Sequence, residues 1–225
     1  KVYQGRYAGT LEERLSDLRW ALEDPTVKAI VCNRGGYGTI HMVDKLLREE
    51  LSAHPKWLVG YSDITTLHEM ETLSGVMSIH GTMSSHIALG GDDETSTLMR
   101  DLLLGKVPTY KVAPHPQNRP GHASGILVGE FTDCGTEFEY SCVEEMLSQY
   151  LDKYGIPVLC GLPTGHDTVN LPIVMGSTVT IDVTPRGGTV SFGLGGGNVT
   201  VDTAPIVRRD SLEKAEALAE KLRLE

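Results

Sequence analysis

Residues 57–73 read WLVGYSDITTLHEMETL, and the change of pattern inside this stretch decides the fold. Trp57, Leu58, Val59 and Gly60 make a short apolar run of strand length, whereas from Ile64 to Leu73 the apolar residues recur at helical spacing. Tyr61, Ser62 and Asp63 are left as a sharp turn between them, so a strand passes directly into a helix, the βα unit of a mostly parallel sheet. A turn of this kind pushes one side chain out at the carboxyl end of the sheet, with the following N–H free to face a developing negative charge. Ser62 occupies that position and Asp63 supplies that N–H. The second glycine of the G-x-S-x-G pattern is absent, and Ser62 or Asp63 would serve equally well to cap the helix that begins at Ile64.

The same order recurs upstream. VKAIVCN, residues 27–33, is a β-branched run that ends at Arg34-Gly35-Gly36-Tyr37-Gly38, and a helical pattern follows through Met42, Val43, Leu46 and Leu47. Consecutive small residues let backbone N–H groups approach a ligand closely, so Gly36 is a candidate second oxyanion donor, with a plain tight turn as the alternative. Neither G-x-G-x-x-G nor G-x-x-x-x-G-K-[ST] occurs, which disfavours a phosphate loop. Still earlier, Leu11, Leu15, Leu18 and Leu22 predict a helix opened by a Thr10/Glu13 capping box. Downstream, residues 76–81 (VMSIHG) predict a buried strand and Ser96 to Leu104 a helix.

Residues 106–125 carry Pro108, Pro114, Pro116 and Pro120, which deny both helix and central strand and predict an extended interdomain connection. A second, smaller α/β domain is expected beyond it. Its elements are a strand in GILVGEF (125–131), a helix from Cys142 to Tyr154, a strand in IPVLCGL (156–162), and a hairpin whose arms VTIDVTP and GTVSFGL alternate apolar and polar residues. VTVDTAPI (199–206) predicts another strand, and Ser211 to Leu222 a final amphipathic helix.

Composition limits the function. A chain of 225 residues can bury a sizeable core, and its net charge of −10 with no Lys/Arg stripe leaves nothing to neutralise a nucleic-acid backbone. No apolar run approaches the ~20 residues that span a bilayer, and KVYQGRYAGT lacks the apolar stretch and cleavage site of a signal peptide, so a cytoplasmic protein is expected. The four cysteines lie far apart, without C-x-x-C spacing, and read as reduced thiols. A serine hydroxyl needs a base. Of the eight histidines, His166 follows Gly161-Leu162-Pro163-Thr164-Gly165 in a turn just past a buried strand, where active-site groups of α/β folds gather. His80 at a strand end is its rival, while His41, His54 and His68 fall on helices or exposed turns and read as structural or solvated. No histidine pair has metal-site spacing, so no metal and no cofactor are expected.

Taken together, AGTLEERLSDL, VKAIVCNRGGYG, LVGYSDIT, HGTM, HPQNRPG, LVGEFTDC and IPVLCGLPTGH, in that order, resemble the bacterial LD-carboxypeptidase family, which also includes the microcin C immunity peptidases. The resemblance implies a serine peptidase that cleaves the L,D-peptide bond before a C-terminal D-amino acid in muropeptides, with Ser62 as nucleophile, His166 as general base, and N–H groups near Gly36 and at Asp63 as the oxyanion hole. It also implies a homodimer. Arg34 is a candidate partner for the substrate's terminal carboxylate, against the alternative of a surface ion pair.

Two departures from the family accompany the match. Relatives open with a strand and helix that here stand at the end, as VTVDTAPIVRRDSLEKAEALAEKL, so the chain reads as circularly permuted, with residues 1–107 plus 198–225 as the nucleophile-bearing domain and 108–197 as the domain carrying His166. The segment that ordinarily brings the glutamate orienting the histidine is missing, because Gly125-Ile126-Leu127-Val128-Gly129 runs straight into Glu130. Glu130 or Asp133 would have to substitute, Asp167 being a poorer choice because it neighbours His166. A muropeptide-binding or scaffold protein with an impaired triad is therefore the alternative function.

Overall fold

The computed structural model describes residues 7–90, 93–123, 125–132, 134, 140–194, 197–208 and 213. Contacts divide the chain into two units, Lys1–Met99 with Pro172–Ser177, and Arg100–Leu171 with Thr178–Glu225.

The first unit is built from the βα pattern read in the sequence. Helix α1 (Leu11–Glu23) opens on the expected capping box: the Glu13 N–H donates to Thr10 Oγ1 at 3.2 Å and the Thr10 N–H to Glu13 Oε2 at 2.8 Å. Strand β1 (Ala29–Val31) leads to a 3₁₀ segment (Thr39–Lys45) and helix α2 (Arg48–Ala53), so the helical pattern through Met42 and Leu46 is realised as two short pieces. Strand β2 (Trp57–Gly60), a 3₁₀ turn (Ser62–Ile64), helix α3 (Thr65–Leu73), strand β3 (Ser78–His80) and helices α4 (Ser84–Gly90) and α5 (Glu94–Leu103) follow. β1, β2 and β3 are parallel neighbours, with registers Ile30↔Leu58 and Val59↔Ile79. Leu15 and Leu22 of α1 join Leu51, Leu58, Leu67 and Met70 in one buried cluster, so the helices cover the sheet with the faces their spacing predicts.

The second unit holds strands β4 (Lys106–Val112), β5 (Gly121–Ala123), β6 (Ile126–Val128), helix α6 (Val143–Leu151) and strand β7 (Val158–Cys160). After β8 (Ile173–Met175), which pairs antiparallel with β3 in the first unit, come β9 (Val179–Thr184), β10 (Gly187–Phe192) and β11 (Gly197–Asp202). The order β11-β4-β10-β9-β5 makes a five-stranded sheet, and β6 pairs with β7 in parallel. β9 and β10 form the expected hairpin, with Ile181, Val183, Val190 and Phe192 buried and Phe192 edge-on to Tyr110 of β4.

The proline-rich connection is not a mere linker. β4 is a central strand despite Pro108, because the antiparallel ladder to β10 reaches only Thr109 and leaves Pro108 opposite Val199 of β11, where its missing N–H costs no β10 bond. The units also divide differently from 1–107 plus 198–225 and 108–197: residues 197–202 pair with β4 and so lie in the second unit. The helix expected over Ser211–Leu222 lies outside the described residues, apart from residue 213.

Candidate active site

Ser62 is the one non-glycine residue with a positive φ among the described residues, at 63°. A left-handed serine costs roughly 1–3 kcal/mol and persists only where its surroundings over-determine it. They do so here. The carbonyl of Gly60, two residues earlier, accepts from the Gly81 N–H at 2.9 Å and lies 2.9 Å from His68 Nε2. With Nε2–H donating, Nδ1 is left to accept the Ser78 hydroxyl at 2.8 Å, the pattern of a neutral imidazole. Burial also drives the His68 pKa down. His68 is therefore a buried structural histidine, one of the two readings that its helical position allowed.

The glycine loop lies against this turn. A Cβ on Gly35 would stand 3.2 Å from Ser62 Cβ and 3.4 Å from the Asp63 nitrogen, so the glycine backbone lies close against the serine turn and a side chain there would crowd it. Gly36 has φ +148°, again a conformation that favours glycine. Asp63 ties the two turns together: Oδ2 accepts from the Gly38 N–H at 2.9 Å and the Thr39 N–H at 3.2 Å, and Oδ1 lies 2.7 Å from the Thr39 hydroxyl. The expected helix cap is thus not what the Asp63 side chain does, since neither the 3₁₀ turn nor α3 has a side-chain cap. Arg14 of α1 donates to the Gly38 carbonyl at 2.7 Å and lies 5.1 Å from the centre of the Tyr7 ring. Arg34 is exposed on the same loop. A cavity of about 560 Å³ in this unit is lined by the loop from Asn33 to Thr39 and by Asp63, with Ile30, Leu58 and Leu67 among its apolar residues.

In the second unit, His166 is exposed in the turn after β7. Gly161 (φ +81°) and Gly165 (φ +145°) shape that turn, and the buried Asn170 fixes it by accepting the Gly165 N–H at 3.1 Å and lying 3.2 Å from Thr164 Oγ1. Glu130 follows β6 and donates its N–H to the Thr164 carbonyl at 3.0 Å. A Cβ on Gly165 would meet the Glu130 carbonyl oxygen at 2.6 Å, so the Glu130 backbone runs beside the residue that precedes His166. Asp133 lies outside the described residues. The six site residues therefore form two groups, Arg34, Gly36, Ser62 and Asp63 in the first unit and Glu130 and His166 in the second.

Sequence reading missed Thr39, Arg14 and Asn170. Thr39 and Arg14 act on residues 24 positions away in the chain, a distance at which no local spacing signals a contact. Among the described residues no group of three or more His, Cys, Asp or Glu is placed to hold a metal ion, and no helix is long and apolar enough to cross a membrane.

Residues 1–81 match the family model of the LD-carboxypeptidase N-terminal domain, and residues 119–181 that of the LD-carboxypeptidase C-terminal domain. A Synechocystis sp. protein, named provisionally as a carboxypeptidase, is 28% identical over 84% of this chain and 80% of its own length. The murein tetrapeptide carboxypeptidase of Pseudomonas aeruginosa is 39% identical over 36% of this chain, a match that spans 27% of that protein. The crystal structure of muramoyltetrapeptide carboxypeptidase from Oxalobacter formigenes superposes with a TM-score of 0.71 at 20% identity, covering 86% of this chain and 88% of that one, which shows a shared fold.

Proposed function

Because the chain belongs to the LD-carboxypeptidase family, we propose that it is a serine peptidase that hydrolyses the L,D-peptide bond before the C-terminal D-amino acid of a muropeptide. The observation that carries the proposal is the left-handed Ser62 at the end of β2, with the Gly35 backbone close against it. A strained residue on a rigid strand end, facing a glycine loop, is the arrangement expected of an activated nucleophile.

In this reading the Ser62 hydroxyl attacks the carbonyl carbon of the scissile bond and His166 takes its proton. The oxyanion receives the Asp63 N–H and an N–H at Gly36, the imidazolium protonates the departing D-amino acid, and water then releases the acyl group from Ser62. Arg34 is assigned to the substrate's terminal carboxylate, since a guanidinium offers that group two parallel N–H donors. Glu130 is assigned to hold the imidazole, a role supported by its backbone bond to Thr164 beside the histidine turn. Cytoplasmic cell-wall recycling is the setting proposed for this activity, and the homodimer belongs to the same proposal.

The test is release of the terminal D-residue from an L,D-tetrapeptide. Ser62→Ala and His166→Ala are expected to abolish turnover while leaving the fold intact, and turnover that survives Ser62→Ala overturns the proposal. A second reading, muropeptide binding without turnover, is favoured by the direct run of Gly129 into Glu130 where the resemblance leads one to expect an intervening glutamate-bearing segment. Loss of an orienting carboxylate lowers turnover by about 10⁴-fold in a serine triad. Calorimetric binding of the peptide, with no product formed by the wild-type protein, is the outcome that decides for this second reading.

A further inference from the structure

We propose that the Asp63 carboxylate is a positioning residue that holds the 35–39 loop in register with Ser62, so that its N–H groups face the carbonyl under attack; the proposal rests on the serine peptidase reading above. An aspartate immediately after a strand-to-helix turn ordinarily caps the helix that follows, accepting N–H groups two or three residues ahead. Asp63 does not. Its carboxylate bonds run instead to Gly38 and Thr39, 25 and 24 residues back in the chain. They use both oxygens, so the carboxylate bridges the glycine loop and the nucleophile turn.

The bridge is tied from several sides. Thr39 is buried, and its hydroxyl lies 2.7 Å from Asp63 Oδ1 and 2.5 Å from the Asp63 carbonyl oxygen, so one side chain meets both the backbone and the carboxylate of Asp63. Residue 38 is held at both ends, its N–H by Asp63 and its carbonyl by Arg14 Nη1 at 2.7 Å. A Cβ at residue 38 would stand 2.6 Å from Arg14 Nη1, so the Arg14 guanidinium lies close over this residue. Ser62 and Gly36, which carry the reaction in the proposed mechanism, are each one or two residues from an end of the bridge. Charge-assisted bonds from backbone N–H groups are roughly twice as strong as neutral ones, which suits the carboxylate to maintaining the strained φ of Ser62.

Three variants, compared with wild type, separate positioning from folding. Asp63→Asn keeps the shape but removes the charge and replaces one of the two acceptor oxygens by an NH₂ donor, while Thr39→Val removes the hydroxyl and Thr39→Ser restores it. The expected result for Asp63→Asn is a fall in kcat of about 10²-fold, the range seen when one oxyanion donor is lost, with KM within about threefold of wild type. Thr39→Val is expected to lower kcat in the same direction and Thr39→Ser to recover it, with all four proteins unfolding at similar urea concentrations. A merely structural contact would shift the unfolding midpoint and leave the kcat of the folded fraction alone. Turnover that depends on Ser62, with the kcat of Asp63→Asn within threefold of wild type, overturns the positioning role and leaves the peptidase reading standing. Wild-type protein with no Ser62-dependent turnover overturns both.

Discussion

Glu71 on α3 offers a sharp test of the physical reading, because a carboxyl group is buried there without a hydrogen bond to its Oε2. The residue is 2% exposed, and burial raises its pKa from 4.5 to about 7. Between those two values the folded state holds a proton that the unfolded state has released, so stability must fall as pH rises. The group costs nothing below pH 4.5 and its full penalty above pH 7. The difference between 4.5 and about 7 amounts to roughly 3 kcal/mol, of which about 2.5 kcal/mol is lost between pH 5 and pH 8. Against the 5–15 kcal/mol that holds a typical domain together, such a loss is readily measured. Glu71→Gln removes the titration. The amide carries its own unmet hydrogen bonds and lowers stability by a constant amount, so the readout is the slope with pH and not the absolute value.

Urea unfolding followed by tryptophan fluorescence is the natural assay, since both tryptophans of the chain, Trp20 and Trp57, belong to the first unit with Glu71. His68 contributes a slope of the opposite sign, because burial lowers its pKa and acid must charge it on unfolding. That slope is common to both proteins and cancels in their difference. The wild-type protein is expected to lose about 2.5 kcal/mol more than Glu71→Gln between pH 5 and pH 8. Parallel profiles, agreeing within about 0.5 kcal/mol, would refute the reasoning.

Gly35→Ala places a methyl group 3.2 Å from Ser62 Cβ, and its expected effect is a drop in kcat of about 10²-fold in tetrapeptide hydrolysis, whereas Gly197→Ala, with open space around it, leaves kcat unchanged; a Gly35→Ala kcat within threefold of wild type contradicts the close approach. Thiol reactivity gives an independent check on burial. Cys134 is exposed, while burial pushes the Cys160 thiol up to about 11 and burial, with the Asp63 charge, pushes Cys32 up to about 12. Iodoacetamide at pH 8 is expected to modify Cys134 first and to leave Cys32 and Cys160 intact until the protein is denatured, as read by peptide mass spectrometry; labelling of Cys32 at the rate of Cys134 would contradict the buried thiol.

Much of the first unit was legible from local pattern. The capping box of α1 forms from residues three apart, and the passage from β2 to α3 follows from a strand-length apolar run that changes to helical spacing, so both could be read before any partner was known. The tight turn at Ser62 was legible for the same reason, since a turn squeezed between two such elements has few ways to run. Pro108 shows where that reading stops. Proline removes one N–H, and whether the loss matters depends on which neighbouring strand would have received it, a fact about β10 and β11 that residues 106–112 do not contain.

What the sequence alone determined, then, is the βα order, the sharp turn at Ser62 and the turn before His166, because periodicity and turn chemistry act over a few residues. Only the tertiary structure decided that Asp63 reaches Thr39, that Gly60 is held by His68 and Gly81, that Glu71 is sealed from water, and that residues 197–202 pair with β4. A hydrophobic pattern tells a side chain which way to face, but not which distant backbone it will find there, and the hydrogen bonds and burial that shape this site are properties of those meetings.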